Sequence, residues 1–291
     1  LAIPPGVRWE AVVVDNASSD DTARVLAERA ALLPLRVVRE PTRGLSRARN
    51  AGLAAAGGAL VLCTDDDCLC DTRWLWTIWE EFRNRPDLDV LGGRVELFDA
   101  RDRPTTIRTS RDRARIDDPY GLSMLIGCNV SFRRRAIETI GAFDVALGGG
   151  TPARAGEDTD YFYRALQAGL TVEYSPDVLV YHNHGRRTDR DARALTRAYS
   201  VARGALFCKY IPRRVQGKGM RARAYADLAF HAKLVVSDLK ARRLPRSTLQ
   251  HYRYLAEGAF YWMRHRIREL VRRERDASRV GVKVSHREPA R

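Results

Sequence analysis

The sequence predicts an α/β architecture: a mainly parallel sheet flanked by helices, followed by a helical extension. Three observations carry that expectation. Up to about residue 185, short apolar runs alternate with helical patterns, as βαβ units require. One run, Ala59–Thr64, is apolar up to its final threonine, as expected of a strand covered on both faces. Beyond Arg190 the pattern turns helical and basic. A chain of 291 residues, 45% hydrophobic and 30% charged, is long and apolar enough for a buried core.

Taken in order, Glu10–Val14 reads as a strand ending at Asp15. Ser18 to Asp21 supplies a cap for a helix over Thr22–Leu33, with Val25, Leu26 and Ala30 on one face. Leu35–Arg39 is a second strand, and Ser46–Ala56 a helix ended by Gly57-Gly58. After the Ala59–Thr64 strand come a helix at Trp74–Asn84 and a strand at Val90–Phe98. The Arg-, Asp- and Thr-rich segment Ala100–Pro119 has no periodicity and reads as a surface loop. Gly127–Phe132 is strand-like, Arg134–Ile140 and Asp160–Ala168 are helices, and Thr171–Val180 reads as strands around Pro176. Helices follow near 191–210, 221–240 and 247–274, and the last dozen residues read as a disordered tail. This divides the chain into residues 1–187 and a basic extension, residues 188–291.

Charge supports the division. From Arg186 to Arg291 there are 28 Lys/Arg against 9 Asp/Glu, a net of +19, so the remaining residues hold −4 of the overall +15. Five cysteines without a Cys-x-x-Cys pair argue against a disulfide framework or a thiolate zinc site and fit a reducing cytoplasm. No stretch reaches the roughly 18 apolar residues a spanning helix needs.

The chemistry-bearing residues sit at strand ends. Asp15 closes one apolar run, and Asp65-Asp66-Asp67 closes another. Ligands of open sheets bind at such ends. Three adjacent carboxylates repel one another, a cost that a hard divalent cation offsets. Arg43–Gly52 sets guanidinium groups at a helix start, where anions bind. Glu157, Asp158 and Asp160 crowd another helix start, which the helix dipole alone would also favour. His182 and His184, two residues apart after a strand, share a face, so one can ligate a metal and the other orient it.

In sequence order these pieces resemble the family 2 glycosyltransferases of the GT-A fold over about residues 8–185. The resemblance rests on Val12–Thr22, Gly44–Gly52, the DXD-like Asp65–Asp67, Gly127–Arg134, Gly141–Gly148, Glu157–Gly169 and the histidines. It implies that Asp15 bonds the nucleotide base, with Arg47 and Asn50 near the base or diphosphate. Asp65 and Asp67 would flank the ribose and a Mn or Mg ion, Asp67 being the direct ligand and Asp66 the fallback. His182 or His184 would complete the metal shell. Asp158 would be the catalytic base, Glu157 or Asp160 would orient the acceptor, and Gly127 and Asn129 would line the sugar or acceptor pocket. The expected reaction is inverting transfer from a nucleotide-diphosphate sugar to a glycan, a lipid-linked acceptor or a cell-surface polysaccharide.

The resemblance also implies a catalytic domain lacking its first strand, since no such strand precedes Leu1-Ala2-Ile3-Pro4-Pro5. In the extension, Leu255, Ala259, Trp262, Met263, Ile267 and Leu270 recur at helical spacing beside Arg264, Arg268 and Arg272. That pattern fits peripheral association with an anionic membrane, on its cytoplasmic face, as well as plain core packing. The basic charge raises two further alternatives, a nucleic-acid-binding or metal-dependent phosphoryl-transfer protein and a silent scaffold. The absence of a familiar nucleic-acid motif argues for no nucleic-acid partner.

Overall fold

The computed structural model describes residues 1–211, 218–242 and 246–279; the expected tail lies outside them. Strands β1 (Ala11–Asp15) and β2 (Leu35–Arg39) pair in parallel as a separate two-stranded sheet, flanked by helices α1 (Thr22–Ala30) and α2 (Leu45–Ala55). A six-stranded sheet comprises β3 (Leu60–Thr64), β4 (Cys68–Cys70), β5 (Val90–Leu97), β6 (Ala114–Arg115), β7 (Asn129–Arg133) and β8 (Val172–His182). Its order is β3-β7-β5-β8-β4, with β6 also on β8. Helices α3 (Trp74–Asn84), α4 (Arg134–Ile140) and α5 (Glu157–Gln167) accompany it. The extension contributes α6 (Asp189–Tyr210), α7 (Lys218–Lys240) and α8 (Arg246–Arg279).

The α/β class holds, but the sheet is mixed rather than mainly parallel. Only β1/β2 and β5/β8 run parallel; β3/β7, β5/β7, β4/β8 and β6/β8 run antiparallel. Alternating apolar runs do not fix strand direction: β7 lies between β3 and β5 and runs against both, and β4, which only the acidic triplet links to β3, pairs antiparallel with β8. The β8 strand runs through Pro176, which cannot donate to a ladder. The register shifts opposite Gly93/Arg94, and Arg94 Nε bonds Pro176 O at 2.9 Å, holding the irregular stretch in place.

The core follows from helical periodicity. Trp74, Ile78 and Phe82 recur every fourth residue on α3 and bury against Leu91, Val95, Val178 and Val180. Burying side chains of this size stabilises by about 1.5–3 kcal/mol each. On the second core cluster, Phe132 and Tyr161 meet edge to face, and Phe143 stacks on Tyr161 at 3.9 Å. The same cluster continues through Ala205, Leu206, Phe207 and Tyr210 of α6 to Leu255 and Trp262 of α8. The basic extension therefore packs into the core of the sheet-bearing part. Thr188 and Asp191 form a capping box that starts α6.

Candidate active site

The carboxyl ends of β3 and β8 meet through the short β4. Cys68 lies opposite His182 in the β4/β8 ladder, and Asn183 N donates to Asp67 O at 2.8 Å. This places Asp67 Oδ2 3.2 Å from His182 Nε2. His182 Nδ1 stands 3.1 Å from the Thr106 carbonyl. An Nδ1–H donated there leaves the Nε2 lone pair facing Asp67, the outer-sphere arrangement typical of metal-binding histidines. Asp67, Cys68 and His182 each offer a ligand atom, all within 4.8 Å of one another. A carboxylate and an oriented imidazole suit a Mn²⁺-like ion, so the residues present fit a divalent cation.

His184 takes a different position. Its buried ring meets His182 edge to face at 5.1 Å, but its Nδ1 lies 3.6 Å from Asp102 Oδ2, away from Asp67. Asp102 is itself tied to Arg187 Nε and Gly185 N, each at 2.8 Å. Thr106, which backs His182, comes from the stretch read as a surface loop. That stretch is anchored: Val95 and Arg108 form a bridge, and Tyr174 Oη donates to Ser110 O at 2.8 Å.

Arg49 joins the two acidic groups. It projects from α2, buried to 10% side-chain exposure, with Nη2 3.5 Å from Asp65 and Nη1 3.1 Å from Glu157. Its guanidinium lies over the Phe143 ring at 5.5 Å. Gly127 makes this seat possible, since a Cβ there would lie 2.6 Å from Arg49 Nη2. Gly156 adopts φ 92° as the N-cap of α5, a turn that favours glycine, and launches Glu157 and Asp158 toward Arg49. Burial raises the Glu157 carboxyl above its usual range, and Asp158 beside it adds to the rise against the pull of Arg49. Asp65 is likewise raised by burial, with Arg49 opposing. Asp158 is half-buried and accepts Thr159 N at 2.6 Å. Tyr199 of α6 stands within electrostatic range of Asp158 and Glu157.

The other expected residues are placed as follows. Asp15 is buried at the end of β1, where hydrogen bonds from Ser18 hold its carboxyl below the usual range. Arg47 is exposed near the start of α2, and Asp66 is exposed between its neighbours. Asn50 clasps Phe143, accepting from its N–H at 2.7 Å and donating to its carbonyl at 3.0 Å. Asn129 is wholly buried as a brace: Trp74 Nε1 donates to its Oδ1, and its Nδ2 reaches the Arg94 and Val178 carbonyls, each bond 2.9 Å. Asp160 faces away from the cluster, bonded by Arg164, Lys209 and Tyr210. The structure thus gathers Asp65, Asp67, Glu157, Asp158 and His182, and gives Asn50, Asn129 and Asp160 contacts that hold the scaffold. Sequence reasoning missed Arg49, Cys68, Thr106 and Tyr199. Only Arg49 left a trace, as one of three arginines in the Arg43–Gly52 run.

Residues 3–141 match the family model described as Glycosyl transferase family 2. The chain is 26% identical over 222 residues to the pre-mycofactocin glycosyltransferase of Mycobacterium tuberculosis, covering 71% of this chain and 46% of that protein. It thus spans about half the length of that relative. It is 27% identical over 231 residues to the succinoglycan biosynthesis protein ExoM of Rhizobium meliloti, covering 69% of this chain and 72% of that protein. Among solved structures, a mannosyltransferase of Pyrobaculum calidifontis, in complex with GDP-Man and Mn²⁺, superimposes with a TM-score of 0.52 at 20% identity. That match covers 87% of this chain and 77% of the mannosyltransferase, and the likeness is one of fold. The family match takes in the strands and loops that carry Asp15, Arg49 and Asp67, around which the fold is that of a solved glycosyltransferase: over residues 3–141 the chain is similar to glycosyl transferase family 2, and it has a GT-A fold.

Proposed function

We propose that the chain transfers a sugar from a nucleotide-diphosphate sugar to an acceptor hydroxyl with inversion at the anomeric carbon. The observation that carries this reading is the run of side chains from His182 and Asp67, through Asp65 and Arg49, to Glu157 and Asp158. It sets a cation-binding pair and a candidate base at one rim of the sheet.

Asp67 and His182 would hold Mn²⁺ or Mg²⁺, which supplies charge neutralisation for a departing diphosphate. Asp15 would meet the nucleotide base at the end of β1, with Arg47 near the donor's anionic groups. Asp158 is the base. It takes the proton of the acceptor hydroxyl as that oxygen bonds to the anomeric carbon, while the bond from that carbon to the diphosphate oxygen breaks. The products are a glycoside of inverted configuration and a nucleoside diphosphate. Asp158 is chosen over Glu157 because Arg49 pairs with Glu157, leaving Asp158 the more accessible carboxylate. Glu157 and Arg49 are positioning residues.

The acceptor is a glycan or lipid-linked molecule, and the exposed apolar and basic residues of α8 would set the enzyme against an anionic lipid surface. Among the described residues no helix is long and apolar enough to cross a membrane. General-base assistance is worth about 10²–10⁴-fold. Asp158→Asn should lose transfer by that factor while retaining donor binding, read by product formation and calorimetry. Undiminished turnover in this variant would remove Asp158 from the mechanism.

A further inference from the structure

We infer that the helical extension carries a second cation site, made by Asp227, His231 and His251, that takes a zinc-like divalent ion. Asp227 and His231 are four residues apart on α7 and so share a face. His251 reaches them from α8. The three offer ligand atoms within 4.8 Å of one another, far from Asp67 in sequence and on different elements.

Each side chain is held from behind. His231 Nδ1 lies 2.9 Å from the Asp227 carbonyl, and His251 Nδ1 lies 3.0 Å from Ser200 Oγ on α6. With its Nδ1–H donated to Ser200, His251 keeps the Nε2 lone pair, whereas His231 faces the Asp227 carboxylate with Nδ1, 3.8 Å from Oδ2. His251 Nε2 points at Asp227 Oδ2, 3.4 Å away. Asp227 Oδ1 is taken by Arg203 Nη1 at 2.7 Å, so one carboxylate oxygen is fixed and the other faces the imidazoles.

Charge selects the ion. Arg203 balances Asp227, so two neutral imidazoles and one carboxylate oxygen meet the cation. Mg²⁺ and Ca²⁺ require several anionic oxygens, whereas zinc binds imidazole nitrogen and carboxylate oxygen at about 2.0–2.2 Å. The rings now stack at 3.8 Å with planes 10° apart. Their in-plane lone pairs run side by side, so capture of an ion turns the rings out of the stack and draws α7 onto α8. The site is a staple between helices, with no part in sugar transfer.

Zn²⁺ alone, titrated into the chelator-treated full chain, tests this by calorimetric stoichiometry and thermal denaturation. Because Asp67, Cys68 and His182 can also bind Zn²⁺, the comparison runs across His231→Gln, His251→Gln and Asp67→Ala. Loss of one equivalent of Zn²⁺ in either histidine variant, with Asp67→Ala keeping it, is the expected result. Saturation near 100 times the dissociation constant should raise the wild-type midpoint by roughly 5 °C, and the histidine variants should lack that rise. Unchanged stoichiometry and midpoint in both histidine variants would overturn the site. So would a rise abolished by Asp67→Ala and retained in both of them.

Discussion

At the scale of single residues, Arg49 shows what sequence carries and what it conceals. The run Arg43–Gly52 announces cationic groups at a helix start, but three arginines share it, and spacing does not say which one turns inward. Burial decides: Arg47 is exposed, whereas Arg49 is enclosed between Asp65 and Glu157. The same holds for the histidines. Their spacing was legible, but the partner of each depended on Thr106 and Asp102, which come from a segment without periodicity. A buried arginine serving two acids needs room, and Gly127 provides it. Gly127→Ala should displace the guanidinium, with an overpacking cost of roughly 1–3 kcal/mol. The expected outcome is a thermal midpoint a few degrees lower and a fall in kcat exceeding the loss of folded protein. Wild-type kcat in this variant would show that the Arg49 seat does not matter to catalysis.

At the scale of elements, the strongly periodic segments were the legible ones. Trp74–Asn84 and Arg134–Ile140 form helices over the residues their patterns indicate, and Leu35–Arg39 is a strand as expected. Cys68–Cys70 and Ala114–Arg115 were missed because strands of three and two residues are too short to show a period. The α5 helix begins at Glu157, so the acids occupy its first turn, where the helix dipole favours them. Asp160 became an anchor because α6 packs there. Lys209 Nζ lies 2.7 Å from Asp144 and 2.5 Å from Asp160, with Tyr210 Oη also on Asp160. Breaking such a buried set by removing one member costs about 3–5 kcal/mol. The α8 helix divides its faces: Leu255 and Trp262 are buried, whereas Phe260, Met263, Ile267 and Leu270 are exposed beside exposed Arg264, Arg268 and Arg272. That face should bind vesicles containing anionic lipid in a flotation assay at low salt and release them as salt rises. Failure to float, or equal flotation with purely zwitterionic vesicles, would count against the membrane proposal.

At the scale of the molecule, the alternation of apolar runs and helices gave the class, and the charge count located the basic extension. Strand order was not legible, because local pattern cannot report that β7 lies between β3 and β5 in antiparallel sense. Nor could it report that the acidic triplet is a link of three residues rather than the start of a crossover. The fold brings the carboxylates that follow β3, the imidazole of β8 and the acids of α5 to one rim. The most direct test is a panel of UDP-, GDP- and dTDP-sugars, scored by thermal shift with and without Mn²⁺. A Mn²⁺-dependent shift with at least one donor is expected, abolished by Asp67→Ala and by His182→Ala and preserved in Asp158→Asn. A donor shift indifferent to Mn²⁺, or one that survives both ligand substitutions, would contradict it.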